Sequence, residues 1–354
     1  MRDEATADRA TPRPNLAAVA ALAGVSASTA SLAFSGAGPV SDATKARVLA
    51  AAQTLDYAGP DPRARSLRRG RSGIVGVVIE DRLSDAFRDP MNIAMLDGIT
   101  DETGSAGLAL LLLTDTGAAT DIAVAPMDAV VLIGCSTRLD QSVVTLRQRG
   151  IPIVAIEAAH MTDVVAIDLD NRPATRRGAE HLRDLGHTRV ALVTLPLEPG
   201  HGRGPLTPER EAASSAFTAT ERILGARDVF PRIGGLVAAG SLIEEGELAG
   251  MALLDTPDRP TAVIAQSDLL AVGVIRAAER LGLTVPGDLS VVGFDGARID
   301  GLAPHELTTL RQPAVEKGRA AGRALLASLA GEPALHAEFA SELHIGTTTG
   351  PAPR

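Results

Sequence analysis

The chain has 354 residues, 45% hydrophobic and 22% charged, which excludes a disordered chain and suits a small domain followed by one or two larger ones. Aromatic residues are only 2%, with no Trp and one Tyr, so the cores must be aliphatic; a single cysteine, Cys135, excludes an internal disulfide and fits a reducing compartment. The net charge of −9 is unevenly spread: residues 1–72 hold 10 Lys and Arg against 6 Asp and Glu, the remainder 24 against 37, so a basic head of +4 precedes an acidic body of −13. A head of that sign points to phosphate contact at one end of the chain.

Residues 1–14 mix Arg2, Asp3, Glu4, Asp8, Arg9 and Arg13 without an apolar core and read as a disordered tail, not a signal peptide. No run of about 18 apolar residues occurs, so no membrane span is expected and the protein reads as cytoplasmic. Residues 15–59 follow a helical pattern. Asn15 suits an N-cap before Leu16, and Val19, Leu22 and Ala23 share a face. Gly24 ends that helix, Ser26 caps a second that runs to about Phe34 with Ala30 and Phe34 inward, and Ser41-Asp42 opens a third carrying Val48, Ala52 and Leu55 inward. Two short helices joined by a tight Gly-Val-Ser turn, with a third in support, describe a helix-turn-helix DNA-binding domain.

Residues 60–72 form a hinge: Pro60 and Pro62 forbid a continuing helix, and five arginines (Arg63, Arg65, Arg68, Arg69, Arg71) crowd around Leu67. From 73 to 354 short apolar runs alternate with amphipathic helices. Strands are predicted at Ile74–Ile79, Leu108–Leu113, Ala129–Ile133, Ile153–Ile156, Val164–Ile167, Val190–Val193, Thr261–Ala265 and Leu289–Val292, and helices at Met91–Gly104, Thr175–Leu185 and Leu269–Leu281 among others. This rhythm predicts an α/β core of two doubly wound parallel-sheet subdomains sharing a cleft, one built from about 73–168 plus 300–330, the other from about 169–299 plus the C-terminal strand.

Four stretches then carry a resemblance. "VAALAGVSASTAS" is similar to the helix-turn-helix of the lactose/galactose repressor (LacI/GalR) family of transcriptional regulators, "ARSLRRGRSGIVGVV" to its hinge and first core strand, and "VPGDLSVVGFDG" and "LTTLRQP" to its C-terminal signatures. The resemblance spans about Leu16 to Leu343. It implies a regulator, most often a repressor, that binds a pseudo-palindromic double-stranded operator as a homodimer or tetramer. Its core is of the periplasmic-binding-protein type and takes a small effector, by family default a carbohydrate. The C-terminal "GPAPR" has no leucine heptads, which favours a dimer.

Residue by residue, the helix from Ser26 would enter the major groove, with Ala27 and Ser28 at base-reading positions and Asn15, Thr29 and Ser31 on phosphates. Leu32 stands where the family often has arginine; it either packs on the backbone or meets a thymine methyl. Leu67 matches the leucine that the family wedges into the minor groove, Ala64 is small enough for paired hinge helices, and Arg63 and Arg68 add phosphate attraction. For the effector, Asp295, Glu157, Ser267 and Asp268 match strand-end contacts, although Ser267 replaces the family's asparagine. Asp81 and Phe87 line the first strand's exit, and Asp170 is either a contact or a helix cap. Arg210 matches a family arginine with altered spacing from the aromatic after it. Carboxylates around an apolar cleft suit hydroxyl-rich ligands, with Phe87 and Phe217 the few rings available.

No cofactor is expected. An enzyme reading lacks a G-x-S-x-G elbow or a dinucleotide loop; Cys135 reads as a small strand-end residue, His187 as a turn residue, and His160 and His201 are isolated, which argues against a metal site. A stand-alone sugar-binding protein would share the core but would need an export signal and no basic head.

Overall fold

The computed structural model describes residues 14–36, 38–60, 70–79, 83–114, 122, 124–134, 140–159, 161–198, 202–299, 302 and 304–353. The hinge candidates Arg63, Ala64, Leu67 and Arg68, the cleft candidate Asp81, and Cys135, His160 and His201 lie outside the described residues, as do residues 1–13. The chain divides into two compact units, Met1–Ser72 and Gly73–Arg354.

In the first unit the capping residues act as the sequence requires. The Asn15 side chain accepts from the Ala18 N–H at 2.9 Å and opens α1 (Leu16–Ala23), which Gly24 ends in the left-handed conformation at φ 64°. Two residues later the Ser26 hydroxyl accepts from the Thr29 N–H at 3.1 Å and starts α2 (Ala27–Ser35), so the chain turns through 102° between the two helices. That angle falls in the range of helix-turn-helix motifs. α3 (Asp42–Thr54), capped by Ser41, closes a core of Val19, Ala20, Ala30, Ala33, Val48, Ala51 and Ala52. Alanine dominates because three short helices must approach closely. Phe34 packs edge-on against Tyr57 at 5.7 Å. One expectation changes: Leu22 is 54% exposed, because the stripe that α1 buries runs through Val19 and Ala20.

The second unit holds two sheets. The first, in the order β12-β5-β4-β3-β1-β2, comprises β1 (Ile74–Ile79), β2 (Ala109–Thr114), β3 (Ala129–Ile133), β4 (Ile153–Ile156), β5 (Val165–Leu169) and β12 (Ala337–Phe339), all paired in parallel. Its apolar runs are buried on both faces. One face packs against α5 (Pro90–Ser105) and α12 (Ala314–Ala330), the other against α6 (Asp140–Gln148); a short α4 (Leu83–Ala86) precedes α5.

The second sheet, in the order β13-β11-β10-β9-β6-β8-β7, comprises β6 (Val190–Thr194), β7 (Gly204–Pro205), β8 (Gly234–Val237), β9 (Ala262–Ala265), β10 (Ser290–Asp295), β11 (Thr308–Arg311) and β13 (Glu342–His344). Its five central strands are parallel, and both edge strands, β7 and β13, are antiparallel to their neighbours. α7 (Asn171–Asp184) and α9 (Phe217–Arg227) cover one face, and α10 (Ile243–Leu254) and α11 (Asp268–Arg280) the other, while a short α8 (Pro208–Ala212) precedes α9. This is the doubly wound, parallel-rich core that the βαβ rhythm predicts.

The chain passes between the two lobes three times: after β5, between β11 and α12, and between β12 and β13. The expectation that residues 300–330 all belong to the first lobe is therefore corrected, because β11 pairs with β10 in the second sheet and only α12 returns. Likewise β12, within the C-terminal stretch, completes the first sheet beside β5.

Candidate functional site

α2 is the groove-facing candidate of the first unit. Ala27 and Ser28 are exposed, Thr29 and Ser31 half-buried, and Leu32 is 37% exposed. The Ser26 hydroxyl, besides capping the helix, lies 3.2 Å from the Ser28 hydroxyl and 2.8 Å from that of Thr29. Along its length, "ASTASLAFS", α2 has no charged or amide side chain, so the bidentate Arg–guanine and Asn–adenine contacts are chemically absent from it. Hydroxyls, methyls and the positive end of the helix remain as its means of touching DNA. A Cβ on Gly38 would sit 2.9 Å from Leu32 Cδ2, so glycine at 38 leaves the space into which Leu32 leans.

In the second unit a cavity of about 210 Å³ opens between the carboxyl ends of the two sheets, the general ligand position of open α/β folds. Its walls are apolar, with Ile79, Met95, Ile133, Leu197 and Phe217 among the lining residues. Its polar groups come from strand ends, helix starts, connecting segments and, for Arg222, the middle of α9. Glu157 follows β4 from the first lobe and Asp295 ends β10 in the second. Both carry a positive φ, 53° for Glu157 and 125° for Asp295, conformations that side-chain-bearing residues rarely adopt and that gather at functional sites.

Two cations hold these acids. Lys317 on α12, completely buried, donates to Glu157 Oε1 and to Gln312 Oε1. Arg222 on α9 stacks on the Phe294 ring at 3.5 Å, donates to Asn171 Oδ1 at 2.8 Å and to the Gln266 carbonyl at 2.5 Å, and lies 3.6 Å from Glu157 and 3.9 Å from Asp295. Asn171 in turn donates to Glu157 Oε2 at 2.9 Å, and Gln312 donates to Asp295 Oδ1 at 2.6 Å. Burial pushes Glu157 up, but Lys317 and Arg222, with the hydrogen bonds from Lys317 and Asn171, outweigh it and hold the carboxyl below its ordinary value. Asp295 behaves oppositely. Burial, together with the Asp268 and Asp89 carboxylates, pushes it well above the usual range against the pull of Arg222. The two carboxyls that face the cleft are thus shifted in opposite directions, Glu157 down and Asp295 up.

Of the sequence-derived cleft residues, Glu157, Ser267 and Asp295 line the cavity. Ser267 caps α11 through the Leu270 N–H and accepts from the Ser241 hydroxyl. Asp268, fully buried and raised to about 7 by that burial, accepts from the Thr309 hydroxyl and the Ala297 N–H behind the wall. Asp170 forms no cap bond to α7; it holds Arg177 and the Ser341 N–H instead, tying down the third lobe crossing. Arg210 is off the lining too, but it grips Glu198, which is on it. Phe87 is 54% exposed and outside the lining, leaving Phe217 as the ring at the cavity.

The sequence reading missed Arg222, Lys317, Gln312 and Asn171. Each sits in a helix or crossing segment where a polar residue looks solvent-facing; three cations without an acid in "KGRAAGR" are a faint signal. His187, read as a turn residue, does follow α7 but is buried, bonded to Thr261, Ser290 and the Gly350 carbonyl.

Comparison with known proteins gives the same assignment for both units. Residues 15–59 match the family described as bacterial regulatory proteins, lacI family, and residues 179–349 match the periplasmic binding protein-like domain. An HTH-type transcriptional regulator of Mycolicibacterium smegmatis is 33% identical over 332 residues, covering 88% of this chain and 90% of that one. Among solved structures, a LacI-family transcriptional regulator from Corynebacterium glutamicum superposes with a TM-score of 0.71 at 27% identity, covering 94% of this chain and 98% of that one. The transcriptional regulator CelR in complex with cellobiose superposes with a TM-score of 0.65 at 25% identity, covering 95% and 100%. The chain belongs to the LacI family: it is a helix-turn-helix, DNA-binding transcriptional regulator with a periplasmic-binding-protein-like effector core.

Proposed function

We propose that the protein is a cytoplasmic, dimeric repressor whose hold on a pseudo-palindromic operator is set by a neutral, hydroxyl-rich effector of monosaccharide size. α2 reads bases through Ala27, Ser28 and Leu32, while Asn15, Ser26, Thr29 and Ser31 engage the backbone; the hinge residues Arg63, Ala64, Leu67 and Arg68 supply the minor-groove and phosphate contacts. The observation that carries the effector reading is the pair Glu157 and Asp295, held at positive φ on opposite lobes of one apolar-walled cavity. Carboxyl groups accept and donate to paired hydroxyls, and Met91, Met95 and Phe217 suit the C–H faces of a ring. Among the described residues, the cations at this site, Arg222 and Lys317, already face carboxylates, which favours a neutral ligand over a phosphorylated one. The CelR relative, solved with cellobiose, lends support to the carbohydrate class.

The test is a thermal-shift panel of D-glucose, D-galactose, D-ribose, cellobiose and D-glucose 6-phosphate, paired with binding of the protein to its own upstream DNA. A neutral sugar that raises Tm and shifts DNA affinity supports the reading. Response to the phosphorylated sugar alone, or to none, overturns it. Deleting residues 1–72 should abolish DNA binding and leave the sugar response in place.

A further inference from the structure

The polar groups at the cavity do not stand as separate contacts. Taken in order they form a closed circuit: Asp295 to Gln312, Gln312 to Lys317, Lys317 to Glu157, Glu157 to Asn171, Asn171 to Arg222, and Arg222 back toward Asp295. The members are distributed across the fold. Glu157 and Lys317 belong to the first lobe, Arg222 and Asp295 to the second. The remaining two stand on lobe crossings: Asn171 begins α7 after the first, and Gln312 lies between β11 and α12 in the second.

We infer that Lys317 is the positioning residue of this pocket, the link that ties both acids to both crossings so that contact at Glu157 or Asp295 is felt at the joints between the lobes. Two observations and one physical cost carry this. Lys317 has no exposed surface, so it cannot meet the ligand or water itself. Its ammonium donates at once to a pocket acid, Glu157, and to a crossing residue, Gln312. A bare ammonium buried here is costly unless every donor is matched, so moving either partner disturbs the other. α12 is itself locked to α5 by backbone contact: a Cβ on Gly318 would meet the Met95 carbonyl at 2.2 Å, and one on Gly98 would meet that of Val315 at 2.1 Å. Lys317 therefore moves only with the first lobe as a whole.

The inference rests on the effector reading only for where the signal begins; the circuit is testable without ligand. Amide hydrogen exchange at neutral pH would be followed in the full-length wild type, Lys317→Met and Gln312→Leu. Gln312→Leu cuts the circuit without leaving a charge unpaired, so it serves if Lys317→Met does not fold. In either variant, exchange at residues 169–172 should rise about tenfold along with that at 311–314, although their side chains bond other partners, Asn171 to Glu157 and Arg222, and Arg172 to Asp228. A purely local role for Lys317 would change α12 and 311–314 and leave 169–172 at wild-type protection; that result overturns the inference. A parallel thermal-shift arm uses whichever panel sugar shifts the wild type. If no sugar shifts it, the effector reading fails while the exchange result still decides the circuit. If a sugar shifts the wild type and also shifts Gln312→Leu equally, with equal loss of DNA binding, the circuit does not carry the signal.

Discussion

Replacing Arg222 by methionine keeps the bulk over the Phe294 ring and removes the charge. The guanidinium is 4% exposed and sits 3.6 Å from Glu157 and 3.9 Å from Asp295, while donating to Asn171 and to the Gln266 carbonyl. Methionine leaves two acceptors without donors and two buried acids without the cation between them. A buried neutral acceptor left unpaired costs about 1–3 kcal/mol, and a buried charge stripped of its partner about 3–5 kcal/mol. These terms overlap, and Lys317 stays beside Glu157, so the expected loss is about 3–5 kcal/mol at neutral pH. In a unit of this size that lowers Tm by roughly 10 °C.

The loss must also depend on pH. Without Arg222 both acids have folded pKa values above their wild-type ones, and above those of the unfolded chain for Asp295 in particular. Stability tied to a raised carboxyl is fully present below the unfolded pKa, about 4, and is lost as pH rises through the folded value. The deficit should therefore be widest near pH 7.5 and shrink by pH 5. Urea unfolding of both proteins at the two pH values, followed by circular dichroism, measures it. A deficit under about 1 kcal/mol, or one equal at both pH values, would refute the assignment of Arg222 as the cation that holds the two acids.

Three further outcomes follow from particular contacts. Gly98→Ala should destabilise by at least about 2 kcal/mol despite the roughly 1 kcal/mol helix-propensity gain, since the new methyl meets the Val315 carbonyl at 2.1 Å and the Arg319 nitrogen at 2.7 Å; a thermal melt matching wild type contradicts it. Burial holds His187 below its ordinary pKa, so its contribution is complete above about pH 6.5 and lost as pH falls; His187→Gln should flatten the stability slope between pH 7 and 5, and parallel slopes would exclude His187 as the cause. Leu32→Ala should relax discrimination at one base pair of the operator by about 1–3 kcal/mol with the salt dependence unchanged; a lowered melting temperature with unaltered DNA selectivity would instead make Leu32 a packing residue against Gly38.

The helical head was legible because its signals are local: Asn15, Ser26 and Ser41 cap the helices they precede, and Gly24 makes the turn that only a left-handed residue allows. Leu22 was not, since which of two neighbouring stripes is buried depends on where the other helices cross. In the core, long aliphatic runs announced the central strands. β8 escaped because Gly234 and Gly235 dilute its pattern, and the glycine at 235 is there because a Cβ would meet the Leu192 carbonyl at 2.0 Å. The acids Glu157 and Asp295 were named through the family resemblance, and the fold brings both to the cavity wall. Arg222 and Lys317 were not legible, because a cation within an amphipathic helix signals solvent, and only the tertiary fold turns that face inward. The same limit explains Asp170, Arg210 and Asp268: the resemblance implied ligand contacts, or for Asp170 alternatively a helix cap, whereas their partners are supplied by other parts of the protein.

The three crossings between lobes have a consequence for how the molecule is made. The sheet that opens with β1 cannot bury its α12-facing side, including Val75, Val77 and Val131, until residues 314–330 arrive, and its β5 edge stays open until residue 339 pairs there. During synthesis the second lobe's parallel strands through β11 are therefore all translated before the first lobe is complete. The early strands wait with apolar surface uncovered for most of the chain's length on the ribosome, the condition under which parallel sheets fold slowly and engage chaperones. A stop codon anywhere before β12 thus removes a closing piece of the lobe translated first, and residues from 314 onward decide the fate of the first strand.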